Sequence, residues 1–365
     1  MKQTLITTLA LMAFMMQISA DTNPQNNSTK PGTFNRLEVR EFGVMPNGKV
    51  IHQYILRNVH GVELRIMEYG ATMSAINLPQ KKGGHLNVIA GEELLAPYLK
   101  GFPAGSVIGR FANRIANAKF SIDGTEYEVT RNAGPHHIHG GRKGFAKVVW
   151  SADPLPVLSN SSGVRLTYKA ADGEEGFPGN LTVHVTYSLN DDNEVKLHYE
   201  ASSDKSTPIN LTNHAYFNLA DQGGFDNHSL WINADTYTLF DQLLIPTGKF
   251  GEVEGTALDF REFHPIGERA DNTQPRPHLY DHNFIINDGG KNIVHTATVK
   301  EPVSGRVMKT YTDQPGVQLY TGNPLGFCLE TQHYPDSVNH PHFPSTILRP
   351  GASFETTTIY AFELP

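Results

Sequence analysis

Leu181-Thr182-Val183-His184-Val185-Thr186-Tyr187 sets an apolar or aromatic side chain at every second position, with a polar one between. Successive side chains of a strand point to opposite faces, so this stretch reads as a strand with one face buried and the other wet. The pattern recurs on both sides: Gly163-Val164-Arg165-Leu166-Thr167-Tyr168 precedes it and residues 194–202 follow it. Further along, Lys119-Phe120-Ser121-Ile122 and Glu126-Tyr127-Glu128-Val129 bracket Asp123-Gly124. Asp-Gly between alternating runs tolerates the positive φ of a two-residue turn, which predicts a tight hairpin there. Segments 62–66, 229–234, 294–299, 307–312, 317–322 and 353–362 are further strand candidates, and a short helix is expected around 94–99. Few stretches hold a helical period for three turns, and 33 glycines and 23 prolines punctuate the runs. The fold class expected is all-β, a large antiparallel β-sandwich.

The chain has 365 residues, of which 39% are hydrophobic and 18% charged, the balance of a soluble globular protein. No change of composition, repeat or linker divides residues 34–365, so one domain is expected over that range. Met1-Lys2, an apolar run over 5–16 and the small residues Ser19 and Ala20 form the pattern of a signal peptide covering 1–20. An ordinary N-terminal helix is the alternative; the run is too short for the ~20 residues that span a bilayer. Residues 21–33 are polar and read as a disordered leader, and the expected location is secreted or periplasmic. Cys328 is the one cysteine, so no intramolecular disulfide forms and the core must hold the fold. The formal charge is −7 with no basic run, which excludes the counterion-displacing surface that nucleic acid requires. No membrane partner is expected, and the oligomeric state expected is a monomer or weak homodimer.

Five polar segments interrupt the strand pattern. In Gly109-Arg110-Phe111-Ala112-Asn113-Arg114-Ile115, Asn113 and Arg114 offer fixed donors to ligand hydroxyls, or else an arginine ties loops together. Pro135-His136-His137-Ile138-His139-Gly140-Gly141 raises a metal reading, because His-x-His on a strand puts two rings on one face. Gly-Gly beside His139 equally suits a backbone opened for a ligand, and no metal is expected. In the run from Asn210 to Tyr216, an extended chain would align Asn210, Thr212, His214 and Tyr216 on one polar face. His214 has the proton-transfer chemistry of an imidazole. Asp281, in Tyr280-Asp281-His282-Asn283-Phe284, is either a hydroxyl acceptor beside aromatic rings or a turn former. Glu330 follows Phe327-Cys328-Leu329, so a strand can deliver its carboxylate to a pocket wall as a general base.

Together these segments resemble the aldose 1-epimerase (galactose mutarotase) family, over about residues 42–362. The resemblance rests on 109–115, His139-Gly140-Gly141, Asp172-Gly173-Glu174-Glu175-Gly176-Phe177-Pro178-Gly179, 210–219, 280–284 and 329–338, in the family's order. It implies that Glu330 takes the proton from the C1 hydroxyl of a sugar and that His214 protonates the ring oxygen. It makes Arg114, His139 and Asp281 substrate-binding residues, with Asn113 and Gln318 as further contacts. The implied activity is interconversion of the α and β anomers of free aldohexoses such as glucose and galactose, feeding hexose metabolism without a cofactor. The implied fold is a large antiparallel β-sandwich, the same as the strand reading.

Overall fold

The alternating run at 181–187 lies inside the ten-residue strand Leu181–Asn190, whose side chains alternate between buried and half-buried along its whole length. It pairs antiparallel with Ser161–Ala170 on one side and Glu194–Ser203 on the other. These strands belong to a nine-stranded antiparallel sheet that continues through Phe354–Glu363, Val307–Thr312, Val294–Lys300 and Ser229–Ile232. A five-stranded meander joins Leu37–Val44, Val50–Arg57, Glu63–Met67, Thr72–Pro79 and His85–Asn87 in chain order. A second five-stranded sheet runs Pro246–Glu252, Thr236–Phe240, Asp281–Ile285, Gly316–Asn323 and Gly326–Gln332. One apolar cluster passes through all three large sheets, from Leu64 through Val183 to Val317.

The computed structural model describes residues 34–101, 104–273 and 279–365, so the expected signal peptide (1–20) and leader (21–33) lie outside the described residues. Asn35–Pro365 make one compact unit. Among the described residues no helix is long and apolar enough to cross a membrane, and the one α-helix is Leu95–Lys100.

At the predicted hairpin, Lys119–Ile122 pairs with Thr125–Glu128 and Ile122 faces Thr125. Asp123 and Gly124 have φ of 51° and 82°, the left-handed pair that a type I′ turn needs. Phe120 from this hairpin packs with Phe111, Ile115 and Phe177 in a separate small cluster beneath the 109–129 segment. Strands Val50–Arg57 and Thr72–Pro79 show little alternation, because most of their side chains are buried on both faces.

Candidate active site

Three strands of the second five-stranded sheet build one wall of a cavity of about 270 Å³. Their register sets which side chains share a face. Gln318 lies opposite Glu330, Tyr320 opposite Cys328, and Asp281 opposite Tyr320. Directly opposed residues and residues two apart share a face, so Asp281, Gln318, Tyr320, Cys328 and Glu330 all point the same way. Asp281, Tyr320 and Glu330 line the cavity. Gln318 does not; it is buried and donates Nε2 to Asp281 Oδ1 at 2.6 Å. Its amide nitrogen is thus held by the aspartate that lines the cavity.

The facing wall comes from short, irregular segments. Arg114–Ile115 pairs with His137–Ile138, and Asn113 and His139 continue that pairing in left-handed backbone, at φ of 60° and 52°. The two residues exchange bonds: His139 N–H donates to the Asn113 carbonyl at 3.0 Å, and Asn113 N–H donates to His139 Nδ1 at 3.2 Å. His214 follows the two-residue pairing of Thr212–Asn213 with Val107–Ile108, and its backbone bonds Ser106 and Gly105. Asn113, Arg114, Ile138, His139, His214 and Tyr216 line the cavity from this side. Arg114 Nη2 reaches across to Asp281 Oδ2 at 3.6 Å, while the Asn113 side-chain oxygen accepts from Arg114. Of the expected site residues, six line one cavity and Gln318 stands directly behind it.

Three expectations change in detail. Asn210 and Thr212 do not share a cavity face with His214 and Tyr216, because only Thr212–Asn213 is a strand; the Asn210 amide instead ties Ala112 and His333. The His-x-His alternation breaks at the positive φ of His139. His137 turns away to the Thr130 carbonyl, at 2.8 Å, and to the Phe177 ring. Gly140 and Gly141 serve close chain packing rather than ligand approach. A Cβ on Gly140, at φ 78°, would sit 1.8 Å from the Gly109 carbonyl oxygen, and one on Gly141 would meet the Glu175 carboxylate at 2.3 Å. Tyr320 was not singled out by sequence, although it stands two residues from Gln318 on the same face.

Burial governs the titration of the site. His214 Nε2 stands 3.6 Å from Glu330 Oε1, both side chains being almost wholly buried. Desolvation pushes Glu330 well above the usual carboxylate range, with Asp281 adding to the rise and Arg114 opposing it. Desolvation also lowers His214 to about 4 and His139 well below its ordinary value, His139 being lowered further by His214 and Arg114. The free pair therefore favours its neutral form, and Glu330 Oε2 is buried with no hydrogen-bond partner among the described residues. On the other side of the imidazole, Cys328 Sγ lies 3.4 Å from His214 Nδ1; burial raises that thiol, which stays protonated.

Ligating atoms of His139, His214 and Glu330 lie within 4.8 Å of one another, close enough to pose a metal site. The donor set fits a metal poorly. Because His139 Nδ1 accepts from Asn113, the neutral ring carries its proton on Nε2, which leaves no lone pair there for an ion. The same N–H is a good donor to an oxygen.

The sequence model of the family described as Aldose 1-epimerase matches residues 52–361. The chain belongs to the aldose 1-epimerase family. Galactose mutarotases of Rattus norvegicus and Homo sapiens are each 41% identical to it, over 343 and 344 residues, covering 88% of this chain and 97% of theirs. Aldose 1-epimerase of Escherichia coli K12 is 35% identical over 341 residues, 87% of this chain and 96% of that relative. Among solved structures, galactose 1-epimerase from Lactobacillus acidophilus superposes with a TM-score of 0.79 at 28% identity, covering 90% of this chain and 98% of its own. The aldose epimerase homologue from C. elegans gives 0.77 at 27% identity, over 85% and 98%. The family's antiparallel β fold is the one seen here.

Proposed function

We propose that this protein interconverts the α and β anomers of free aldohexoses, galactose and glucose among them, by acid–base ring opening and closure. The observation that carries the reading is the placement of His214 Nε2 3.6 Å from Glu330 Oε1 in one buried cavity. The C1 hydroxyl oxygen and the ring oxygen of a pyranose are bonded to the same carbon, so an acid and a base must reach neighbouring atoms. A pair this close suits that demand.

The His214–Glu330 pair holds one proton throughout. Glu330, as carboxylate, takes the proton of the C1 hydroxyl; the bond from C1 to the ring oxygen breaks, C1 becomes a carbonyl, and the His214 imidazolium gives its Nε2 proton to the ring oxygen. Rotation about C1–C2 presents the other carbonyl face, and the reverse transfers close the ring. Ring opening leaves the pair neutral, the form that burial favours on both residues. Arg114, His139 and Asp281 contact sugar hydroxyls, and Tyr216 and Tyr320 offer ring faces to C–H groups. The cation among the lining residues, Arg114, is paired with Asp281, which favours free sugars over phosphorylated ones.

Polarimetry of freshly dissolved α-galactose and α-glucose, with and without protein, tests the reading. Faster approach to the equilibrium rotation is expected; binding of either sugar with no change in rate would make the protein a carbohydrate binder instead. We also infer export, from the pattern of residues 1–20 alone. Mass spectrometry of the protein from the periplasm or medium is expected to find Asp21 as the first residue, and an intact Met1 would count against export.

A further inference from the structure

The segment Asp172-Gly173-Glu174-Glu175-Gly176-Phe177-Pro178-Gly179 contributes no side chain to the cavity, yet it touches both chain segments that carry the irregular wall. Arg110, buried, donates Nη1 to the carbonyls of Pro178 and Gly179 and to Thr207 Oγ1, at 2.7, 3.1 and 3.0 Å. Glu175 works on the other segment. Its carboxylate accepts the Lys143 N–H at 2.8 Å, and a Cβ on Gly141 would lie 2.3 Å from that same carboxylate. Its backbone carbonyl accepts the Thr130 N–H at 2.9 Å. Glu175 is itself in left-handed backbone, at φ 53°, an uncommon conformation for a residue with a long side chain. Burial alone would raise its carboxyl; the Thr130 hydroxyl and the backbone N–H groups of Lys143, Arg142 and Gly144 outweigh this and hold it below its ordinary value. A ring of successive backbone N–H groups around a carboxylate is an anion nest, here filled from within the chain.

We propose that Glu175 is a positioning residue for sugar binding: its carboxylate clips the turn at 141–144, and so fixes the left-handed backbone of His139 at the cavity wall. The chain between them is short. His139 N–H bonds Asn113, Gly141 N–H bonds Ile138, Lys143 N–H bonds Glu175 and Phe145 N–H bonds Gly109, so the backbone of the turn is tied from end to end, and the tie at its middle is made by the Glu175 side chain. Releasing it frees the middle of the turn and lets the His139 ring leave its place beside His214, whose centroid is 5.3 Å away. The inference rests on the reading that His139 contacts the sugar.

A double-mutant cycle tests it, with galactose affinity read by calorimetry and turnover by exchange between anomers in NMR. Glu175→Ala is expected to weaken galactose binding about tenfold while kcat changes about twofold or less, the signature of lost positioning for binding rather than lost chemistry. Glu175→Gln, which keeps an acceptor oxygen, is expected to restore binding to within about threefold. In a His139→Ala background, Glu175→Ala is expected to add about twofold or less, because its effect passes through that ring. An unchanged affinity in Glu175→Ala, or an equal loss with and without His139, overturns the proposal. If His139→Ala alone leaves affinity intact, the sugar-contact reading fails and the proposal falls with it, a result distinct from failure of Glu175 alone. Should Glu175→Ala not fold, Thr130→Val removes one donor to the same carboxylate and runs the same cycle with a smaller shift.

Discussion

Asp281, Tyr320 and Glu330 reach the cavity from neighbouring strands, whereas Arg114, His139 and His214 reach it from segments with two paired residues each. On the strand wall a continuous ladder decides direction: once Gln318 is opposite Glu330, the period of two places every other side chain. On the facing wall no ladder is long enough to do so. Direction there comes from positive φ at Asn113 and His139, from the contact of Gly140 with Gly109, and from ties made by Arg110 and Glu175. A strand wall resists single changes because its frame is shared among many backbone bonds. The irregular wall concentrates its definition in a few residues, so damage there should spread to binding.

Chemistry lies on both walls, so the largest effects should be symmetrical. Glu330→Gln on the strand wall and His214→Asn on the other are each expected to lower kcat by about 10²–10⁴-fold, the contribution of a positioned acid or base. Anomer exchange followed by NMR measures both, and near-normal exchange in either would remove that residue from the chemistry. Below chemistry the walls should part. Arg114→Met removes a charged donor worth about 1.5–3 kcal/mol, so KM for galactose should rise at least about tenfold while kcat changes less. Gly140→Ala forces a side chain into left-handed backbone against Gly109 and should cost roughly 1–3 kcal/mol of stability in denaturant unfolding. It should also raise KM, although residue 140 touches no sugar; an unchanged KM would show that the two walls are equally robust.

The remaining effects concern pH. His214, His137, His228 and His333 are each lowered to about 4 by burial, from an ordinary 6.5. A group whose folded value is depressed contributes stability above its unfolded value and loses it as pH falls through the folded one. Thermal midpoints should therefore hold down to about pH 6.5 and decline progressively toward pH 4. A flat midpoint over that range would mean that these imidazoles are charged in the folded protein. The same depression keeps the catalytic pair singly protonated well below pH 6.5, so the acid limb of kcat/KM should lie nearer 4.

The two walls were also unequally visible in the sequence. Leu181–Asn190 and the Asp123-Gly124 hairpin were apparent because one face of each strand is wetter than the other, and alternation records that difference. Val50–Arg57 and Thr72–Pro79 are mostly buried on both sides, which erases the signal. Glu330 could be placed on a strand by local pattern, whereas Asp281 read equally as a turn former; neither could be set opposite its partners, since register joins residues 281, 318 and 330 that local reading keeps apart. Strand alternation would put His139 on one face with His137, the premise of the metal reading. The positive φ of His139, which breaks that alternation, comes from packing against Asn113, 26 residues away. Gln318 enters through the family resemblance, and its bond to Asp281 appears only when the two strands are side by side. The motif at 172–179 carries family resemblance with no chemical role, and the structure sets it against the irregular wall.

The central claim is that one proton donor and one acceptor meet the two oxygens on a single anomeric carbon. A crystal structure of the Glu330→Gln protein bound to galactose tests it most directly. The account predicts the C1 hydroxyl within hydrogen-bond distance of the residue 330 amide and the ring oxygen within hydrogen-bond distance of His214 Nε2. A sugar bound in this cavity with its anomeric carbon turned away from both would contradict it.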